Sequence, residues 1–198
     1  MKIILASQSP RRRELLERMG LSGFEIRPAR GEERMDAGLT PAELVEALSR
    51  QKAAEIAETA GAEDVIIAAD TVVAIDGLVL GKPHDRAEAA EMLSRLSNRV
   101  HQVFSGLTVR QGQRSVTVHE CTQVRFRKLS RREIEGYLDT GEPMDKAGAY
   151  GIQGYGAMLV ESIAGDFYNV MGLPVCRLGQ LLREFGVELL RPAGGQAR

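Results

Sequence analysis

The chain is expected to fold as an α/β domain: a mixed β-sheet with flanking helices. Three observations point there. Helix-start signals recur as S/T/D-x-x-E boxes at Thr40–Glu43, Asp85–Glu88 and Ser130–Glu133. Strand-like runs lie between them, including Val65–Ile75 and an alternating pair, Val100–Arg110 and Arg114–Arg127, joined by a turn at Gln111–Gln113. The two kinds of signal intermix along the chain, and neither a repeat nor a Pro/Ser linker divides it. Residues 1–190 are therefore expected to form one domain, with the Gly/Ala/Pro-rich residues 191–198 as a flexible tail.

In order, Lys2–Ala6 reads as a short apolar strand. Ser9 caps a helix with Pro10 at its first position, Leu15, Leu16 and Met19 form its apolar stripe, and Gly20 ends it. A second strand is expected near Phe24–Pro28, followed by a polar loop from Gly31 to Gly38. The helix opened by Thr40 runs to about Ala60, with Leu44, Leu48, Lys52 and Ile56 at i+4 spacing on one face. Val65–Ile75 is apolar except at Asp70 and Thr71. Both of its alternating faces are apolar, so it is expected to be buried on both sides. Asp76-Gly77 turns it into Leu78–Leu80, and Gly81-Lys82-Pro83 closes that hairpin. The Asp85 helix runs to about Leu96, the long hairpin follows, and the Ser130 helix reaches Leu138. After a glycine-dense stretch (Gly148, Gly151, Gly154, Gly156), Ala157–Ile163 is expected to be a strand, Gly165–Gly172 a loop and Pro174–Phe185 a final helix.

Composition excludes several function classes. A net charge of −1 and 43% hydrophobic residues give no global field that would gather nucleic acid. Cys121 and Cys176 form neither a CxxC pair nor a disulfide framework, and His84, His101 and His119 are scattered, so a metal here would be a hard cation held by oxygen. No apolar run reaches membrane length and the N-terminal run is too short for a signal peptide, so a cytoplasmic protein without a membrane partner is expected. Only five of the 26 basic residues are lysines: Lys2, Lys52, Lys82, Lys128 and Lys146. Where arginine supplies most positive charge, a lysine invites its own explanation, and a compact point charge suits phosphate.

Asp70 is the sharpest chemical signal. A carboxylate midway along a doubly buried strand costs several kcal/mol unless compensated. Either backbone amides at a bulge hold it, or a metal ion or Lys52 and Lys82 do. Lys52 on an apolar helix face is either a snorkelling side chain or a functional charge. Ser7–Arg13 joins a strand to a helix N-terminus, an anion site by its amides and dipole, where arginines in the first turn have the wrong sign unless an anion shares the space. A solvated basic face is the alternative. The glycines around Gln153 allow close approach to a flat ligand whose edge its amide could read; an exposed glutamine in a turn is the plainer reading. P-loop and strand-linked GxGxxG patterns are missing.

Five ordered blocks, Ser9–Leu16, Ala69–Val73, Gly81–Pro83, Asp145–Gly154 and Gly172–Pro174, resemble the Maf family of nucleotide pyrophosphatases, over about Ile3 to Phe185. The resemblance implies an elongated fold similar to inosine triphosphate pyrophosphatases with a central cleft, a nucleoside triphosphate substrate, a divalent cation (Mg or Mn type) and a homodimer. By motif, Asp70 would accept the proton from water. Ser9, Arg13, Lys52 and Lys82 would line the cleft toward phosphate, and Glu33 with Asp70 would meet the metal. Arg12, Thr71 and Gln153 resemble the branch acting on dTTP and UTP, with CTP expected to be a poor substrate. A nucleotide-binding regulator of cell division without turnover is the rival reading. A nucleic-acid binder using Arg11–Arg13 and Arg125–Arg132 is disfavoured by charge and by the absence of a stacking motif.

Overall fold

The computed structural model describes residues 1–31 and 38–190, so Glu33 and the expected tail lie outside the described residues. The elements are β1 (Ile3–Leu5), α1 (Pro10–Arg18), β2 (Glu25–Ile26), α2 (Pro41–Ala57), β3 (Val65–Ile75), β4 (Leu78–Leu80), α3 (Arg86–Leu96), β5 (Val100–Gln111), β6 (Arg114–Phe126), α4 (Arg131–Asp139), β7 (Val160–Ala164), α5 (Phe167–Val170) and α6 (Val175–Glu184). Among the described residues, seven strands form one mixed sheet in the order β2-β1-β3-β5-β6-β7, with β4 also on β3. β1 is parallel to β2 and β3, and the remaining pairs are antiparallel.

β3 is buried on both faces, as its doubly apolar pattern requires. Ile66 and Ala68 pack with Ala53 and Ile56 of α2, and Val72 packs with Leu44, Val45 and Leu48 of the same helix. The opposite face carries two clusters side by side. Val65, Ile67 and Ala69 meet α1 and α6, while Val73 and Ile75 meet α3 and α4. Each fully buried Leu or Ile in these clusters contributes about 1.5–3 kcal/mol of transfer free energy. The boundary between the two clusters falls at Thr71, in the middle of β3.

β3 is also where two strands stop short. β1 pairs with Val65–Ile67, and β4 pairs with Val73–Ile75 along the same edge. Their carboxyl ends therefore converge on residues 68–72 from opposite directions. Open α/β sheets commonly place ligands outside the carboxyl ends of their strands.

Local chemistry explains most element ends. Thr40 and Ser130 make complete capping boxes with Glu43 and Glu133. The Asp85 box differs from the sequence expectation: Asp85 caps Glu88, but the Glu88 carboxylate accepts from the amide of His84, 2.6 Å away, one residue further out. Asp76 and Gly77 have φ of 53° and 76°, the left-handed pair a two-residue hairpin needs. Two further expectations are corrected. Gly154–Leu159, including the first residues of the expected strand Ala157–Ile163, is a 3-10 turn, so β7 starts at Val160. The expected loop Gly165–Gly172 contains α5, capped by the Asp166 carboxylate on the amide of Tyr168.

Candidate active site

Asp70 lies in the stretch of β3 between the ends of β1 and β4, and only 7% of it is exposed. It stands opposite Gly106 of β5 in a ladder that runs without a bulge from Val65 to Ala74. Gly106 explains what comes next. A Cβ there would sit 2.1 Å from the main-chain oxygen of Val45, so a glycine is what lets α2 lie directly on the sheet. Lys52 follows Val45 by seven residues, two turns along the same face. That places its ammonium on Asp70 Oδ1, in an ion pair whose side chains are 16% and 10% exposed. The compensation that a buried carboxylate demands is therefore supplied by a lysine, and the backbone-amide alternative is not realised among the described residues. The lysine on the apolar stripe ends on a buried carboxylate and does not snorkel to water.

Around this pair lies a cavity of about 720 Å³. Its walls come from the chain leaving β1, the N-terminus of α1, the turn after β4 and the glycine-dense segment. Ser9, Arg12, Lys52, Asp70, Thr71, Lys82 and Gln153 all line it. Ser9 caps α1, its Oγ accepting from the Arg12 amide at 3.4 Å. Lys82 sits on a turn tied across to the glycine-dense segment by a 3.0 Å bond from the Gly148 amide to the Gly81 oxygen. The side chain of Gln153 makes no hydrogen bond with any described residue, and it lines the cavity.

Arg12 is held on three sides. Its Nε donates to the Gly172 oxygen at 2.8 Å, Nη1 to Ser7 Oγ at 3.2 Å and Nη2 to Thr71 Oγ1 at 3.1 Å. Asp70 and Thr71 point to opposite faces of β3, yet both reach the cavity because the strand edge is uncovered between β1 and β4.

Arg13 is not brought to the cleft. Successive helical residues diverge by about 100°, and Arg13 turns outward to pair with Glu17 at 2.8 Å. Arg11 takes a place in the cleft wall instead, reaching Asp145 at 3.3 Å. Lys146 is a second residue missed in the sequence. It lines the cavity while its Nζ bonds the Glu142 oxygen at 2.7 Å and Asp145 Oδ1 at 2.6 Å. Lysine scarcity was the signal for it, since Lys52, Lys82 and Lys146 all line this one cleft. Burial pushes the Asp145 carboxyl up, but Lys146 and Arg11 outweigh it and hold it below the usual carboxylate range. The Glu142 carboxylate accepts from Tyr137 Oη and the amides of Tyr155 and Gly156, and so shapes the segment that carries Lys146 and Gln153.

The donors fit a hard divalent cation only in part. Among the described residues no three His, Cys, Asp or Glu side chains gather as a metal-binding group. Asp70 has a second oxygen, Oδ2, without a hydrogen bond to any described residue. One carboxylate suits a magnesium-type ion that completes its shell with water and substrate phosphate oxygens.

Comparison with known proteins bears on the fold and the family. A solved HAM1 protein from Coxiella burnetii matches with a TM-score of 0.54 at 16% identity, over 93% of this chain and 99% of that one, a likeness of fold. The chain is 50% identical over 195 residues to a dTTP/UTP pyrophosphatase of Symbiobacterium thermophilum, covering 98% of this chain and 99% of that protein. It is 51% identical over 188 residues to a dTTP/UTP pyrophosphatase of Bacillus velezensis, covering 94% and 98%. The family model described as Maf-like protein matches residues 2–185, and with relatives of this closeness over nearly the whole length, the chain belongs to the Maf family.

Proposed function

We propose that the protein hydrolyses dTTP and UTP to the nucleoside monophosphate and pyrophosphate, with Asp70 as the proton acceptor. The observation that carries this reading is the Asp70–Lys52 pair at the floor of a cleft that also collects Lys82, Lys146, Arg11 and Arg12. The names of the relatives at about half identity support the substrate class.

Water beside Asp70 gives its proton to the carboxylate as its oxygen adds to the α phosphorus. The bond to the bridging oxygen breaks, and pyrophosphate leaves with the electron pair. No covalent intermediate is needed. Lys52 holds the carboxylate in place, while Lys82 and the capped N-terminus of α1 at Ser9 neutralise the phosphate chain. A divalent cation on Asp70, and on Glu33 as the family resemblance implies, would supply charge neutralisation for the phosphate oxygens. Gln153 offers one donor and one acceptor to the carbonyl–NH–carbonyl edge shared by uracil and thymine, an edge that cytosine lacks. The family resemblance adds a homodimer working in the cytoplasm; among the described residues no helix is long and apolar enough to cross a membrane.

The test is a panel of nucleoside triphosphates with magnesium or manganese, measuring pyrophosphate separately from orthophosphate. Pyrophosphate from dTTP and UTP, little from CTP, and loss of turnover on chelation with recovery on adding metal are expected. Stepwise release of orthophosphate, or nucleotide binding without turnover, would overturn the assignment. Light scattering in solution checks the dimer.

A further inference from the structure

The groups behind Arg12 leave one sensible arrangement of hydrogens. Ser105, fully buried in β5, pairs with Thr71 across the ladder and does not line the cavity. Its Oγ lies 3.0 Å from the main-chain oxygen of Asn169 and 2.8 Å from Thr71 Oγ1. A hydroxyl carries one hydrogen and a carbonyl only accepts. The Ser105 hydrogen therefore goes to Asn169, and the Thr71 hydrogen goes to Ser105. Thr71 Oγ1 is left as an acceptor for Arg12 Nη2 at 3.1 Å. The competing arrangement sends the Thr71 hydrogen to the Gly172 oxygen, 3.5 Å away, and replaces a good bond with one at the outer limit. That carbonyl already accepts from Arg12 Nε at 2.8 Å.

We propose that Ser105 is a positioning residue for substrate selection. Through Thr71 it holds the Arg12 guanidinium in the orientation that meets the pyrimidine nucleotide. Thr71 then influences the nucleotide through Arg12, since its own hydrogen is spent on Ser105. The proposal rests on the reading of the cleft as a dTTP/UTP site.

The experiment compares kcat/KM for UTP and CTP in wild type, Ser105→Ala, Thr71→Val and the double variant. Ser105→Ala is expected to lower the UTP-to-CTP ratio about tenfold, the worth of one net hydrogen bond, and to have no further effect in the Thr71→Val background. An unchanged ratio in the single variant, or an equal fall in both backgrounds, overturns the proposal. Thr71→Ser, which keeps the hydroxyl, should retain the ratio that Thr71→Val loses; loss in both overturns it too. Solvent exchange of the Arg12 Nε–H, followed by NMR without substrate, should quicken about tenfold in Ser105→Ala. Unchanged exchange sinks the relay, whereas wild-type protein that releases no pyrophosphate sinks only the functional reading it rests on.

Discussion

Asp70 and Lys52 depend on each other, and that sets what their substitution does. Asp70→Asn keeps the shape of the side chain but cannot take a proton from water. The variant should fold and lose roughly two to four orders of magnitude in kcat, measured as pyrophosphate release; near-normal turnover would make Asp70 structural. Lys52→Met fills similar volume on an apolar stripe, and on the helix alone it would be neutral. It leaves the Asp70 carboxylate with no described partner for its charge, and breaking a buried pair by removing one member costs up to about 3–5 kcal/mol. A fall in Tm is expected, partly reversed when Asp70→Asn is added; no recovery in the double variant would show that the pair does not carry the effect. Both residues were legible as anomalies, each a charge in an apolar pattern. Arg11 and Lys146 were harder to see. Arg11 sits in a run of three arginines whose helical phase, not its composition, decides which members face the cleft. Lys146 is placed by Glu142, whose contacts to Tyr137, Tyr155 and Gly156 are invisible in a linear chain.

At the scale of elements, the sequence signals were strongest where a local rule is sufficient. β3 and β4 fall at their expected bounds because alternation and the Asp76-Gly77 turn are local. The caps of α1, α2 and α4 follow for the same reason. Ala157–Leu159 has the composition of a strand but is a 3-10 turn. A Cβ at the neighbouring Gly156 would lie 2.1 Å from the Gly151 oxygen, so the turn brings two backbone segments together where no side chain fits, a long-range contact that composition does not announce. The contact of α2 with β5 is equally tight. Gly106→Ala would force the two elements apart at Val45, so it should lower stability by about 1–3 kcal/mol, as overpacking does, and shift Lys52 from Asp70. Reduced Tm together with reduced kcat is expected. Loss of stability with unaltered kcat would separate the packing of α2 from the placement of its lysine.

Across the whole molecule, one buried group sets an acid limit. His101 is 1% exposed, its Nε2 lies 2.8 Å from Tyr150 Oη, and its Nδ1 has no partner among the described residues. Burial pulls its pKa down from 6.5 to about 4. The unfolded chain therefore binds this proton more readily than the folded one. The stabilisation is complete above pH 6.5 and is lost as pH falls toward 4, on the order of 3 kcal/mol in all. Replacing His101 with Leu should cost stability at pH 8 and flatten the decline of Tm between pH 6.5 and 4; an unchanged slope would assign that decline to other groups. The larger plan of the protein has a different consequence. The two clusters on either side of Thr71 share β3 and β5, and the cleft floor is the strand that both need. A hinge cannot pass through that floor, so any closing over a ligand has to come from the rim: the start of α1, the turn at Lys82 and the glycine-dense segment. For the same reason neither half should survive as a fragment, since a cut through residues 68–72 removes a wall from each core at once. A molecule arranged in this way is expected to melt in a single transition, and to lose its site and its shape together.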